Sequence, residues 1–76
     1  MDVRRRLGWN LRRLRRGKKL SQERFALEHD IDRTYVSGIE RGARNPTITV
    51  VERLAEALEV PIAELFKDPD DADLPR

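Results

Sequence analysis

The chain has 76 residues, 39% of them charged, a formal net charge of +2 and no cysteine. This is the length of one domain with a marginal core, burying about 60% of its unfolded surface, so a second copy is one way to supplement it. The lack of cysteine excludes disulfides and thiolate metal sites and fits a reducing cytoplasm, the apolar runs are too short to span a membrane, and the basic N-terminus has no signal-peptide core behind it.

Charge is unevenly spread along the chain. Residues 1–19 hold nine Lys/Arg against one Asp, while residues 47–66 hold one Arg against four Glu. Such a split turns one face toward a polyanion and another away from it.

Residues 2–16 place Val3, Leu7, Leu11 and Leu14 on one stripe of a first helix, with Asp2 at its start and Gly17 as its stop. Lys18 or Lys19 is then expected at positive φ. The arginines cover the remaining faces and, as a group, suit non-specific attraction to phosphates. Trp9 lies opposite the apolar stripe, flat among arginine stems.

Ser21 caps a second helix that ends near Glu28 or His29, with Phe25 and Ala26 inward. His29, Asp30 and Ile31 make a turn in which Asp30 can adopt a left-handed conformation. Asp32 caps a third helix with Val36 and Ile39 inward, and Gly42 sits just past its end. Ala43 to Pro46 is a loop. Thr47 caps a fourth helix over residues 48–58, carrying Ile48, Val51, Leu54, Ala55 and Leu58. Pro61 opens a short fifth helix at its first position, ending in Leu65 and Phe66. Two units follow: residues 1–66 as the folded domain and 67–76 as an acidic, disordered tail. The expectation is an all-α, five-helix domain without strands.

Residues 21–41 have what a DNA-reading unit needs. Two short helices join at a tight turn, and Ala26 is small where they cross. The second presents Arg33, Thr34 and Ser37, with Tyr35 and Gly38 beside them, on a face the core does not use. Those side chains are the candidate base contacts.

The stretch resembles the helix-turn-helix of Cro and the phage repressors, the xenobiotic-response-element type. Gln22, Ala26 and Glu40 stand where that family has an opening Gln, a small residue and a closing Glu. The phrase DRTYVSGIERGARNP is most similar to controller proteins of restriction–modification systems, and the likeness covers about residues 4–66. The resemblance implies a lambda-repressor-like fold. It makes Gln22, with Ser21 beside it, a phosphate clamp, and it makes Arg44 and Asn45 further phosphate contacts. It gives Arg33, Thr34, Ser37 and Tyr35 to the bases. Arg15 and Glu40 become a structural ion pair. Two departures are Asp30 in place of a Gly, and Gly38 in place of a base-reading side chain, which weakens reading there or replaces it by close backbone approach.

A single such unit covers one half-site, so the expectation is a transcriptional regulator that binds double-stranded DNA at a pseudo-palindromic operator as a homodimer. The acidic, apolar end supplies the candidate interface: Ile48, Val50, Ile62, Leu65 and Phe66. Glu23 is a candidate contact for RNA polymerase. A competing reading is an antitoxin-like interaction module using Trp9 and the acidic tail. Enzyme chemistry finds no support, since His29 is the only histidine and no glycine-rich phosphate loop occurs. No metal, cofactor, small-molecule ligand or membrane partner is expected, and the place of action is the cytoplasm.

Overall fold

Every α-helix starts at a residue whose side chain caps it. Asp2 Oδ1 accepts from the backbone N–H groups of Arg4 and Arg5 (2.9 and 3.1 Å) and opens α1, Val3–Gly17. Ser21 Oγ accepts from Arg24 N–H (3.0 Å) at α2, Gln22–Glu28. Asp32 Oδ1 accepts from Tyr35 N–H (3.1 Å) at α3, Arg33–Glu40. Thr47 Oγ1 accepts from Val50 N–H (3.2 Å) at α4, Ile48–Leu58. Each cap satisfies a donor that the helix leaves open, an effect worth about 1 kcal/mol at a typical N-terminus. The computed structural model describes residues 2–69, and a 3-10 helix, Ile62–Phe66, completes them.

The helix ends follow the expected backbone reversals. Lys19, Asp30 and Gly42 have φ of 60°, 53° and 74°. Asp30 therefore makes the turn between α2 and α3 without glycine. Glu59 is a fourth left-handed residue, the C-cap of α4, whose N–H reaches the carbonyls of Ala55 and Glu56.

Two expectations about the C-terminal end are corrected. The fifth helix is a 3-10 helix rather than an α-helix, and Pro61 precedes it instead of occupying its first position. Five residues are too few for an α ladder, and Glu64 N–H bonds to Pro61 C=O at 3.0 Å. Asn10 Nδ2, fully buried on α1, donates to the carbonyls of Leu65 (3.1 Å) and Lys67 (2.8 Å). The same bonds hold the start of the supposed tail: Lys67 is fixed by Asn10, and Asp68 pairs with Arg6 at 3.8 Å. The rest of the expected tail, residues 70–76, lies outside the described residues.

The core joins all five elements. Leu7 and Leu11 meet Phe25 and Ala26, Val36 and Ile39, the α4 set Val51, Leu54, Ala55 and Leu58, and Leu65. Leu65 is 0% exposed. It fills the core between α1 and α4 and cannot also present its side chain to a second copy, so its place in the interface set is withdrawn.

Gly8 decides how α1 crosses α3. A Cβ there would stand 2.6 Å from the carbonyl oxygen of Glu40, and nearer still to that of Ile39. Only a residue without a side chain allows the two backbones this approach. One further turn-pair along the same face of α1 lies Arg15, which meets the Glu40 side chain, so α3 is gripped at its C-terminal end.

Candidate nucleic-acid interface

The rigidity of α3 rests on a buried network at its base. Arg15 is 5% exposed, and its Nε and Nη2 donate to Glu40 Oε2 and Oε1 at 2.7 and 2.9 Å, a two-point carboxylate contact. A third donor, Nη1, reaches Leu20 C=O at 2.6 Å. Hydrogen bonding to Glu40 pushes the Arg15 pKa up, so the guanidinium stays charged throughout. Gln22 Nε2 adds a bond to Glu40 Oε1 at 3.1 Å. The ion pair implied by the resemblance is thus formed, and it also anchors Gln22.

That anchoring orients the first turn of α2. Gln22 is half-buried, and its amide nitrogen donates one N–H inward to Glu40, which leaves the second N–H as a donor. Ser21 uses its hydroxyl oxygen as the helix cap, which leaves the O–H proton available to donate. A shallow cleft gathers Gln22 with Arg33, Thr34 and Ser37. Residues from two helices, expected separately from the sequence, therefore share one surface.

Arg33 and Thr34 are exposed on the first turn of α3. Arg33 stands at the positive end of a helix dipole, a placement that disfavours a cation unless an anion or a base edge acceptor approaches. Ser37 is half-buried and accepts from Arg41 Nη1 at 2.6 Å. Arg41 was not among the residues singled out from the sequence. Its signal was present in its spacing, four positions after Ser37 on the same face.

Tyr35 and Gly38 behave differently from a simple reading face. Tyr35 is half-buried against the core, and the Arg44 guanidinium lies over its ring at 5.7 Å. Gly38 is buried beneath the Arg44 side chain, where a Cβ would come within 2.6 Å of Arg44 Cγ. The position is a notch that seats Arg44, because its outer side is already covered. Asn45 is exposed in the same loop.

The candidate interface residues divide. Ile48 is 81% exposed, and Ile62 and Phe66 are also exposed. Val50 is partly buried against the core, and Leu65 is wholly within it. Gly8 and Asn10, which position α3 and the 3-10 helix, escaped the sequence reading. Their only sequence signal is a glycine and an asparagine inside an otherwise good helix pattern.

Among the described residues no helix is long and apolar enough to cross a membrane, and no three His, Cys, Asp or Glu side chains stand together as metal ligands.

A family model described as helix-turn-helix matches residues 11–65. The control protein C.MunI of a Mycoplasma species is 44% identical over 68 residues, which span 88% of this chain and 92% of that protein. The crystal structure of the hypothetical transcription factor NHTF from Neisseria superposes with a TM-score of 0.85 at 39% identity, covering 91% of this chain and 79% of that one. The restriction–modification controller protein C.Esp1396I, solved as a tetramer in complex with its natural 35-base-pair operator, superposes with a TM-score of 0.74 at 33% identity. That match covers 88% of this chain and 99% of that one.

Proposed function

We propose that this chain, which belongs to the helix-turn-helix family and is similar to restriction–modification controller proteins, is a sequence-specific DNA-binding transcriptional regulator. It binds double-stranded DNA as a homodimer, one α3 to each half of a pseudo-palindromic operator. The observation that carries this reading is the single surface formed by Gln22, Arg33, Thr34 and Ser37, held on a helix locked by Arg15 and Glu40.

In this reading Arg33, Thr34 and Ser37 meet base edges in the major groove. Gln22 and Ser21 clamp a phosphate at the start of α2. Arg44 and Asn45 grip the backbone from the loop, with Tyr35 supporting Arg44. Residues 1–66 are the DNA-binding and dimerising unit in this reading. Its dimer face is the exposed apolar set Ile48, Ile62 and Phe66, with Val50 at its edge, and its place of action is the cytoplasm.

Selection of bound DNA from a random library identifies the half-site and its spacing. Arg33→Ala then lowers affinity for the selected operator by about 1–3 kcal/mol, while affinity for scrambled DNA changes much less. Equal loss on both sequences sinks the base-reading role of Arg33.

A further inference from the structure

The fold sorts six of the seven arginines of α1 into two sets, the seventh, Arg4, lying 3.9 Å from Asp2 at the helix start. Arg6 pairs with Asp68 (3.8 Å), Arg13 with Glu64 (3.6 Å) and Arg15 with Glu40 (2.7 Å), all on sides packed against the rest of the chain. Arg5, Arg12 and Arg16 make no ion pair among the described residues and are exposed. At 100° per residue, positions 5, 9, 12 and 16 lie on one narrow stripe.

That stripe borders α3. Arg5, Trp9 and Arg12 line a cleft with Glu40 and Arg41 at the C-terminal end of the reading helix. The Glu40 carboxylate is 3% exposed and already bound by Arg15 and Gln22, so it does not neutralise the cleft from within. Arg41 connects the cleft to the reading face through its bond to Ser37. Trp9 forms the cleft's aromatic wall, half-buried, with the Arg13 guanidinium 5.5 Å from its ring.

We propose that the Arg5–Trp9–Arg12–Arg41 cleft is a second DNA contact, one that binds the sugar–phosphate backbone along the edge of the groove that α3 enters. The proposal rests on the DNA-regulator reading above and adds a site outside the helix-turn-helix. Charge complementarity selects the occupant. Arg5, Arg12 and Arg41 are exposed, stand in no ion pair among the described residues and line the cleft with Trp9, and the Arg41 bond to Ser37 links it to the base-reading face. Guanidinium forks suit phosphate oxygens.

Trp9 is the only tryptophan, so its emission reports on this cleft alone. The test titrates the full chain and the double variant Arg5→Gln/Arg12→Gln with a short duplex of random sequence and with the selected operator, across a range of salt. The expected result is a change in Trp9 emission on binding either duplex. In the variant, affinity for both falls by roughly five- to tenfold per lost contact near 0.1 M salt, and the slope of log K against log salt flattens by about 0.9 per contact. The preference for operator over random sequence stays intact. Unchanged melting temperature establishes that the variant is folded. Emission that stays constant through saturation, with an unaltered salt slope, overturns the proposal. Loss of binding to an acidic protein with DNA affinity untouched overturns it in favour of a protein partner. Failure of the base-reading proposal looks different: Arg33→Ala then leaves sequence preference unchanged, whatever the double variant does.

Discussion

Gly38 lies directly beneath Arg44, close enough that a single added Cβ would stand 2.6 Å from Arg44 Cγ. The arginine rests in this notch with its guanidinium over the Tyr35 ring. A loop side chain is thereby given a fixed place next to the reading helix before DNA arrives, which reduces the entropy lost on binding.

Gly38→Ala therefore separates stability from binding. Alanine favours a helix interior by up to about 1 kcal/mol, and the Arg44 side chain is flexible enough to move aside. The expected outcome is a melting temperature unchanged or raised. DNA affinity falls for all sequences alike, because Arg44 loses its seat. A variant that binds as tightly as the parent refutes the seating role.

Gly8→Ala acts in the opposite direction despite the same change in helix propensity. Its Cβ meets the backbone carbonyls of Ile39 and Glu40, which have no rotamer with which to yield. Separating α1 from α3 costs about 1–3 kcal/mol, the usual range for overpacking. Chemical denaturation measures it, and a neutral result shows that the crossing is looser than described.

Glu40→Ala strands the Arg15 guanidinium in the interior. Removing one partner of a buried pair costs about 3–5 kcal/mol, whereas replacing both by apolar residues is often neutral. The double variant Arg15→Met/Glu40→Leu should therefore recover most of the stability lost in Glu40→Ala. DNA affinity should not recover with it, since Gln22 has lost its anchor on Glu40. Urea unfolding and a binding assay on the same samples test both halves.

Neighbouring residues at the C-terminal end should respond differently to charge. Phe66→Asp, on the exposed side of the 3-10 helix, should shift the protein toward monomer in sedimentation equilibrium and leave its helical circular dichroism intact. Leu65→Asp should unfold the domain, because the side chain is 0% exposed in the core and a buried unpaired charge costs several kcal/mol. A folded, monomeric Leu65→Asp would restore that residue to the interface.

Acid should weaken the start of α1 in a predictable window. The backbone N–H of Arg5, followed by that of Arg4, holds the Asp2 carboxyl below its ordinary value. A carboxyl that titrates lower when folded stabilises the fold above its unfolded pKa, about 3.9, and this is lost as pH falls through the folded value. Asp2→Asn retains a capping oxygen but removes this titration. The acid limb of its stability curve should be shallower, as read by thermal melts between neutral and acidic pH.

Much of this protein is determined by local chemistry and so is legible in the chain itself. Ser21, Asp32 and Thr47 cap because short polar side chains reach the next turn's N–H groups, whatever lies elsewhere. The 3.6-residue spacing of Leu7, Leu11, Val51, Leu54 and Leu58 sets which faces pack, and Asp30 and Gly42 reverse the chain by backbone preference alone. What only the tertiary structure decided are relations between residues far apart in sequence. Gly8 matters because of two carbonyls on α3, and Gly38 because of a loop arginine folded back over it. Asn10 ends a helix more than fifty residues away, at Leu65 and Lys67. The arginines of α1 look alike in sequence, and only the fold assigns Arg6, Arg13 and Arg15 to carboxylates distant in the chain while leaving Arg5, Arg12 and Arg16 exposed. Periodicity records how much of a helix is buried. It does not record which neighbour arrives there, since that depends on where the other helices cross.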